Sequence, residues 1–116
     1  MKLTGMIFQA LANSSHGTIN TNTTMTFVSD DESEILGTYH GGTIKTGNVV
    51  GRWIDASTME MLYHCITVTG ELKAGRAFAS FSRDSEGLMN MHLDWQWLMG
   101  DQSKGTSQWV EKLDSA

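Results

Sequence analysis

His92 and Asp94 stand two residues apart in the segment Leu88–Met99, which reads L-M-N-M-H-L-D-W-Q-W-L-M. On one face of a strand such a pair can hold a metal ion if a third ligand, His40 or His64, comes from a neighbouring strand. The simpler reading is a solvated outer face of Asn90, His92, Asp94 and Gln96, so no metal site is assigned. The neighbours His64 and Cys65 have the residue types of a thiol–imidazole couple. Adjacent residues of a strand, however, point to opposite faces, so the two cannot meet and Cys65 reads as a buried structural thiol. Asp94 with Glu60 or Glu71 offers two carboxylates for acid–base work, but nothing in their spacing fixes a separation. No catalytic residue is assigned, and no cofactor is implied.

The aromatic residues of the same segment carry more information. Met89, Met91, Leu93, Trp95, Trp97 and Met99 share one parity and the polar residues share the other, which is the alternation of a half-buried strand. A helix would spread the same residues around its axis. Trp95 and Trp97 are therefore placed on the buried face, where they either fill a core or wall a ligand pocket. Trp53 and Trp109 are further pocket candidates, or an apolar patch if they face outward. Gly75, Ala77 and Ala79 share a parity as well, and small residues inside a sheet leave room opposite large ones. The inward parity is ambiguous over residues 43–68, which makes Met61 and Tyr63 secondary candidates for a pocket wall. Tyr39, Asp101 and Ser103 are the polar groups expected to orient a bound molecule.

These side chains must be positioned by strands. Turn residues recur at Asn13–Gly17, Ser29–Glu32, Gly41-Gly42, Asp55–Ser57, Thr69-Gly70, Arg83–Gly87 and Gly100–Gly105. Between them lie stretches rich in Thr, Val, Ile, Phe, Tyr and Trp, which predict strands near 3–11, 18–29, 33–40, 43–54, 58–68, 71–82, 87–99 and 106–113. Short connections favour antiparallel neighbours, hence a meander. Eight such strands can close on themselves and remove their exposed edges. The expected fold is all-β, a single domain over 1–116 forming a small eight-stranded antiparallel barrel, with a β-sandwich as second choice. A barrel of this size is either plugged by side chains or holds one small ligand. Gly41–Gly47 echoes Thr69–Gly75 at an offset of 28 residues, which reads as one turn-to-strand solution used twice, with Gly where φ is positive or a bulge bends the barrel.

Composition narrows the function classes. A net charge of −5 without any Lys/Arg run disfavours a nucleic-acid backbone. No apolar stretch is long enough to span a membrane, and residues 1–16 make a poor signal peptide because the apolar run is short and broken by Gln9. A single cysteine forms no internal disulfide, and the expected location is cytoplasmic. The eight methionines and four tryptophans suit an irregular core or an adaptable pocket wall.

Phe8-Gln9, Asn13-Ser14 with Gly17, Gly37–Ile44 with Gly47 and Gly51, Tyr63-His64, Gly70–Leu72 with Gly75, and Trp95-Gln96-Trp97 followed by Gly100–Ser107 together carry a resemblance over nearly the whole chain. In these stretches the chain is similar to a group of small bacterial proteins described as avidin-like, some of which carry the name N-acetylglutamate synthase. The resemblance implies an avidin- or lipocalin-like meander barrel and carries no demonstrated activity; the barrel and its tryptophans lead to the expectation of a noncatalytic module for a small apolar or amphipathic molecule. The synthase name would need an acetyl-CoA loop opening a helix. Gln102–Ser107 has a superficial likeness to such a loop, but Gln108–Leu113 is too short and too alternating to supply the helix, so an acetyltransferase is the lesser alternative. A homo-oligomer or protein-interaction domain is the other.

Overall fold

The computed structural model describes residues 2–13, 22–31, 33–100 and 102–112. Eight strands follow one another: β1 (Ile7–Asn13), β2 (Thr24–Asp30), β3 (Ile35–Gly41), β4 (Ile44–Trp53), β5 (Thr58–Thr67), β6 (Leu72–Arg83), β7 (Met89–Trp97) and β8 (Lys104–Glu111). Each pairs antiparallel with its neighbour, and β1 pairs with β8, so the sheet is a closed barrel. That closure excludes the sandwich. Among the described residues, no helix is long and apolar enough to cross a membrane.

Alternation sets the inside of the wall. Residues 89, 91, 93, 95 and 97 of β7 are buried, as are 59, 61, 63, 65 and 67 of β5 and 75, 77, 79 and 81 of β6. This settles the parity of β5: Met61 and Tyr63 face inward, while Leu62 and His64 face out. The first strand begins later than its composition predicts. Gly5 adopts φ +83°, donates to the Phe27 carbonyl, and turns the preceding residues inward so that Leu3 enters the core. β8 begins earlier than expected, because the backbone of Lys104 and Gly105 already pairs with Gln96 and Trp95. The first residues of the predicted 18–29 strand, and the end of 106–113, lie outside the described residues.

The two ends of the barrel differ. At the lower end Phe8, Phe27 and Phe81 meet edge to face, with centroids 5.7 to 6.5 Å apart, and Trp53 tilts onto Phe81 at 5.4 Å. The buried Asp30 carboxylate accepts from the Leu3 amide at 2.9 Å and from Trp53 Nε1 at 3.2 Å. Above this, Met59 and Met91 have no accessible surface at all, which leaves no water-sized hollow against them. Trp109 fills the same level and donates from Nε1 to Ser107 Oγ at 3.0 Å. The lower and middle barrel is thus a packed core.

Candidate upper-end ligand site

Five functional candidates gather at the opposite end. β7 delivers Trp95 and Trp97, β5 delivers Tyr63, and β3 delivers Tyr39; Ser103 sits where the chain turns back from β7, its carbonyl accepting from the Trp97 amide at 2.9 Å. The rings form one chain of tilted and edge-on contacts: Tyr39 to Tyr63 at 6.3 Å, Tyr63 to Trp97 at 5.6 Å, and Trp97 to Trp95 at 6.0 Å. Such geometry matches ring edges to ring faces. Met61 faces the same interior but lies one inward step below Tyr63, in the filled part of the barrel. Asp101 lies outside the described residues.

Two glycines make room for the tyrosines. Gly47 pairs with Tyr39 across β3 and β4, and Gly75 pairs with Tyr63 across β5 and β6. A Cβ at Gly47 would stand 2.5 Å from the Tyr39 ring, and one at Gly75 would stand 2.5 Å from the Tyr63 ring. These are the final glycines of the two echoing segments. Gly41, Gly42 and Gly70 in the same segments have positive φ. The echo is therefore a repeated way of seating a tyrosine flat against bare backbone after a tight turn.

The Tyr39 hydroxyl is the polar end of this cluster. It is buried and has no hydrogen-bond partner among the described residues. Burial first, and the neighbouring Cys65 thiol second, push its ionisation far above the ordinary tyrosine range. The thiol is close enough to act on that ionisation, but the pair lacks hydrogen-bond geometry and sulfur is a weak partner. Burial likewise raises the Tyr63 hydroxyl and the Cys65 thiol, which keeps Cys65 protonated and inert. Exposure returns only toward the rim: Tyr63 and Trp97 each keep 9% of their surface. There a cleft of about 320 Å³ is lined by Glu71, Leu72, Lys73, Trp97, Met99, Gly100 and Ser103. Lys73 Nζ stands 4.7 Å from the Trp97 ring centroid, a cation–π contact, with the Glu71 carboxylate 3.8 Å away.

Sequence reasoning missed Lys73, Glu71, Leu72 and Met99 as cleft residues. The signal for Lys73 was present, because extending the inward parity of Gly75, Ala77 and Ala79 by two residues reaches it. Other candidates disperse. His92 faces outward, 3.5 Å from Asp94 and bonded through Nδ1 to the Gln108 amide. No three His, Cys, Asp or Glu side chains converge among the described residues in a way that could hold a metal. Glu60 and Asp94 both flank Phe78 on the outer wall, one strand to either side of it, and Glu60 is held by Arg52 at 2.9 Å. Gln102–Ser107 leads into β8 and not into a helix, so the amide cradle an acetyl-CoA pyrophosphate needs is absent there. Trp53 and Trp109 do not form an outer patch: Trp109 is fully enclosed and Trp53 packs on Phe81, because both continue the inward parity of their strands. The exposed apolar row is instead Leu36, Val50 and Leu62, paired across β3, β4 and β5.

A closed up-and-down barrel, stoppered at one end and lined with aromatic rings at the other, belongs to the small β-barrel class whose interiors are either plugged or hold one small molecule. The family described as Avidin-like protein matches residues 1–112, and the chain belongs to that family. No curated protein and no solved structure matches it.

Proposed function

We propose that the protein is a noncatalytic binding module that takes one small apolar or amphipathic molecule at the upper end of its barrel. Trp95, Trp97 and Tyr63 supply the apolar wall, and Tyr39, Ser103 and Asp101 supply polar contacts; Met61 supports the wall from below. The carrying observation is the buried Tyr39 hydroxyl, which has no hydrogen-bond partner among the described residues. An unmet buried polar group costs about 1–3 kcal/mol, and a ligand that reached it would recover that cost on binding. Membership of the avidin-like family and the aromatic chain leading from Tyr39 to the rim support the same reading. A cytoplasmic setting accords with the single buried thiol, and a bacterial origin with the resemblance of Trp95–Ser107.

The test is a panel of small aromatic and aliphatic amphiphiles, followed by tryptophan emission and thermal shift on the wild type and on Tyr39→Phe. The variant should be as stable as the wild type or more so, yet bind its best ligand more weakly. A panel without any binder, together with an ordered water on Tyr39 Oη in a crystal structure, would remove the reading. The outer row of Leu36, Val50 and Leu62 favours self-association as a second reading, and light scattering of the wild type against Leu62→Lys tests it.

A further inference from the structure

On the outer wall of β3 to β6, apolar and charged side chains stand in two adjacent rows. The first row reads Leu36, Val50, Leu62, Arg76, each paired with the next across successive strands. Its first three members are exposed hydrophobic residues. Two residues along each strand, the second row reads Glu34, Arg52, Glu60, Phe78; Glu34 stands level with Arg52 because its neighbour Ile35 pairs with Gly51. Arg52 and Glu60 hold each other at 2.9 Å. Glu34 and Arg76 are exposed, and among the described residues their side chains have no ion-pair or hydrogen-bond partner. The two mark opposite edges of the patch, an anion on β3 and a cation on β6, about 14 Å apart at about 4.8 Å per strand. Between them a shallow, mostly apolar depression of about 440 Å³ is lined by Val50 and Leu62 and reaches both charges.

Such a face is complementary to itself. A two-fold axis along the strands, midway between β4 and β5, exchanges β4 with β5 and β3 with β6. Val50 then meets Leu62 of the second copy, and Leu36 meets the aliphatic stem of its Arg76. Arg52 faces Glu60 of the second copy, and Glu34 lies one row from its Arg76, within reach of a guanidinium on so long a stem. An axis across the strands would instead lay the charged row on Thr38, Asn48 and His64, which offer Arg52 no carboxylate and Glu34 no guanidinium. The area suffices. β4 and β5 are ten residues long. Four strands about 4.8 Å apart and about 33 Å long make a face of roughly 600 Å², so two copies bury about 1,200 Å², the lower bound for a stable interface.

We propose that two copies of the chain associate face to face through the β3–β6 wall about this two-fold, joined by two Glu34–Arg76 ion pairs around an apolar centre. The proposal rests on the self-association reading and deepens it; it is independent of the ligand site.

Sedimentation equilibrium from about 1 µM to about 1 mM should show the wild type passing from monomer to dimer. Glu34→Arg and Arg76→Glu each set like charges against each other and should weaken the dimer about tenfold or more. An equimolar mixture of these two variants should recover it, because each then supplies the charge that the other copy needs, and the double variant should recover it as well. Leu62→Lys should leave a monomer with a urea midpoint near that of the wild type. A wild type that stays monomeric throughout overturns the proposal and the self-association reading beneath it. A dimer indifferent to Leu62→Lys overturns this face while leaving self-association standing. Single variants that weaken the dimer without recovery in the mixture overturn the two-fold pairing of Glu34 with Arg76.

Discussion

Adding one methyl group at Gly75 tests whether the tyrosine seats determine the packing of the upper barrel. Gly75 lies in β6 with no positive φ, so an alanine there is locally favoured, by about 0.5–1 kcal/mol in the middle of a strand. Opposing this, the new Cβ would meet Tyr63 Cζ and Oη at 2.5 Å, where carbon contacts are ordinarily about 3.5–4.0 Å. The ring must therefore retreat by about 1 Å. It has little room to do so, because its edge is set against Trp97 at 5.6 Å and Tyr39 at 6.3 Å. Overpacking of this kind costs about 1–3 kcal/mol, which exceeds the backbone gain, so Gly75→Ala should destabilise by about 1–2 kcal/mol net. Urea unfolding followed by tryptophan emission measures it. The cause is isolated by repeating the substitution in a Tyr63→Leu background, where the methyl group meets open space and should become neutral or slightly stabilising. A wild-type background that gains stability, or an equal cost with and without the Tyr63 ring, would refute the seat argument.

Trp97→Ala should cost about 3–5 kcal/mol, the range for emptying a large aromatic from a core, whereas Gln96→Ala on the outer face should cost less than about 0.5 kcal/mol; equal small values would contradict the inward parity of β7. Asp30→Ala strips acceptors from the buried Leu3 amide and from Trp53 Nε1, and should cost about 2–4 kcal/mol in the same assay, with protease sensitivity rising first at the amino-terminal residues. Asp84 has its carboxyl held below the usual range by the Asn90 amide first and by the Leu88, Glu86 and Gly87 backbone after it. A depressed folded pKa contributes stability that is complete above the unfolded value of about 3.9 and disappears as the pH falls through the lower folded value. The acid limb of the urea midpoint should therefore flatten below about pH 4 in Asp84→Asn, while a limb identical to wild type would count against the turn.

What the sequence determined by itself is the alternation. The side-chain period of a strand is a property of local backbone geometry, so Trp95, Trp97 and the small residues Gly75, Ala77 and Ala79 could be placed on the inner face without any long-range information. The turn residues marked all eight strands for the same reason. Parity stayed ambiguous in β5 because Leu62 and Ile66 place apolar residues on the outer face as well, and only the pairing of Met61 with Gly51 and Ala77 decides the matter. Closure was decided by tertiary structure, since the β1–β8 pairing joins residues about a chain length apart. So was the difference between the ends: Asp30, Leu3 and Trp53 converge from three separate segments to stopper one of them. The unmet Tyr39 hydroxyl and the Lys73 ammonium over Trp97 are of the same kind. Each depends on which side chains fail or succeed in meeting across the barrel, and local geometry carries no record of that.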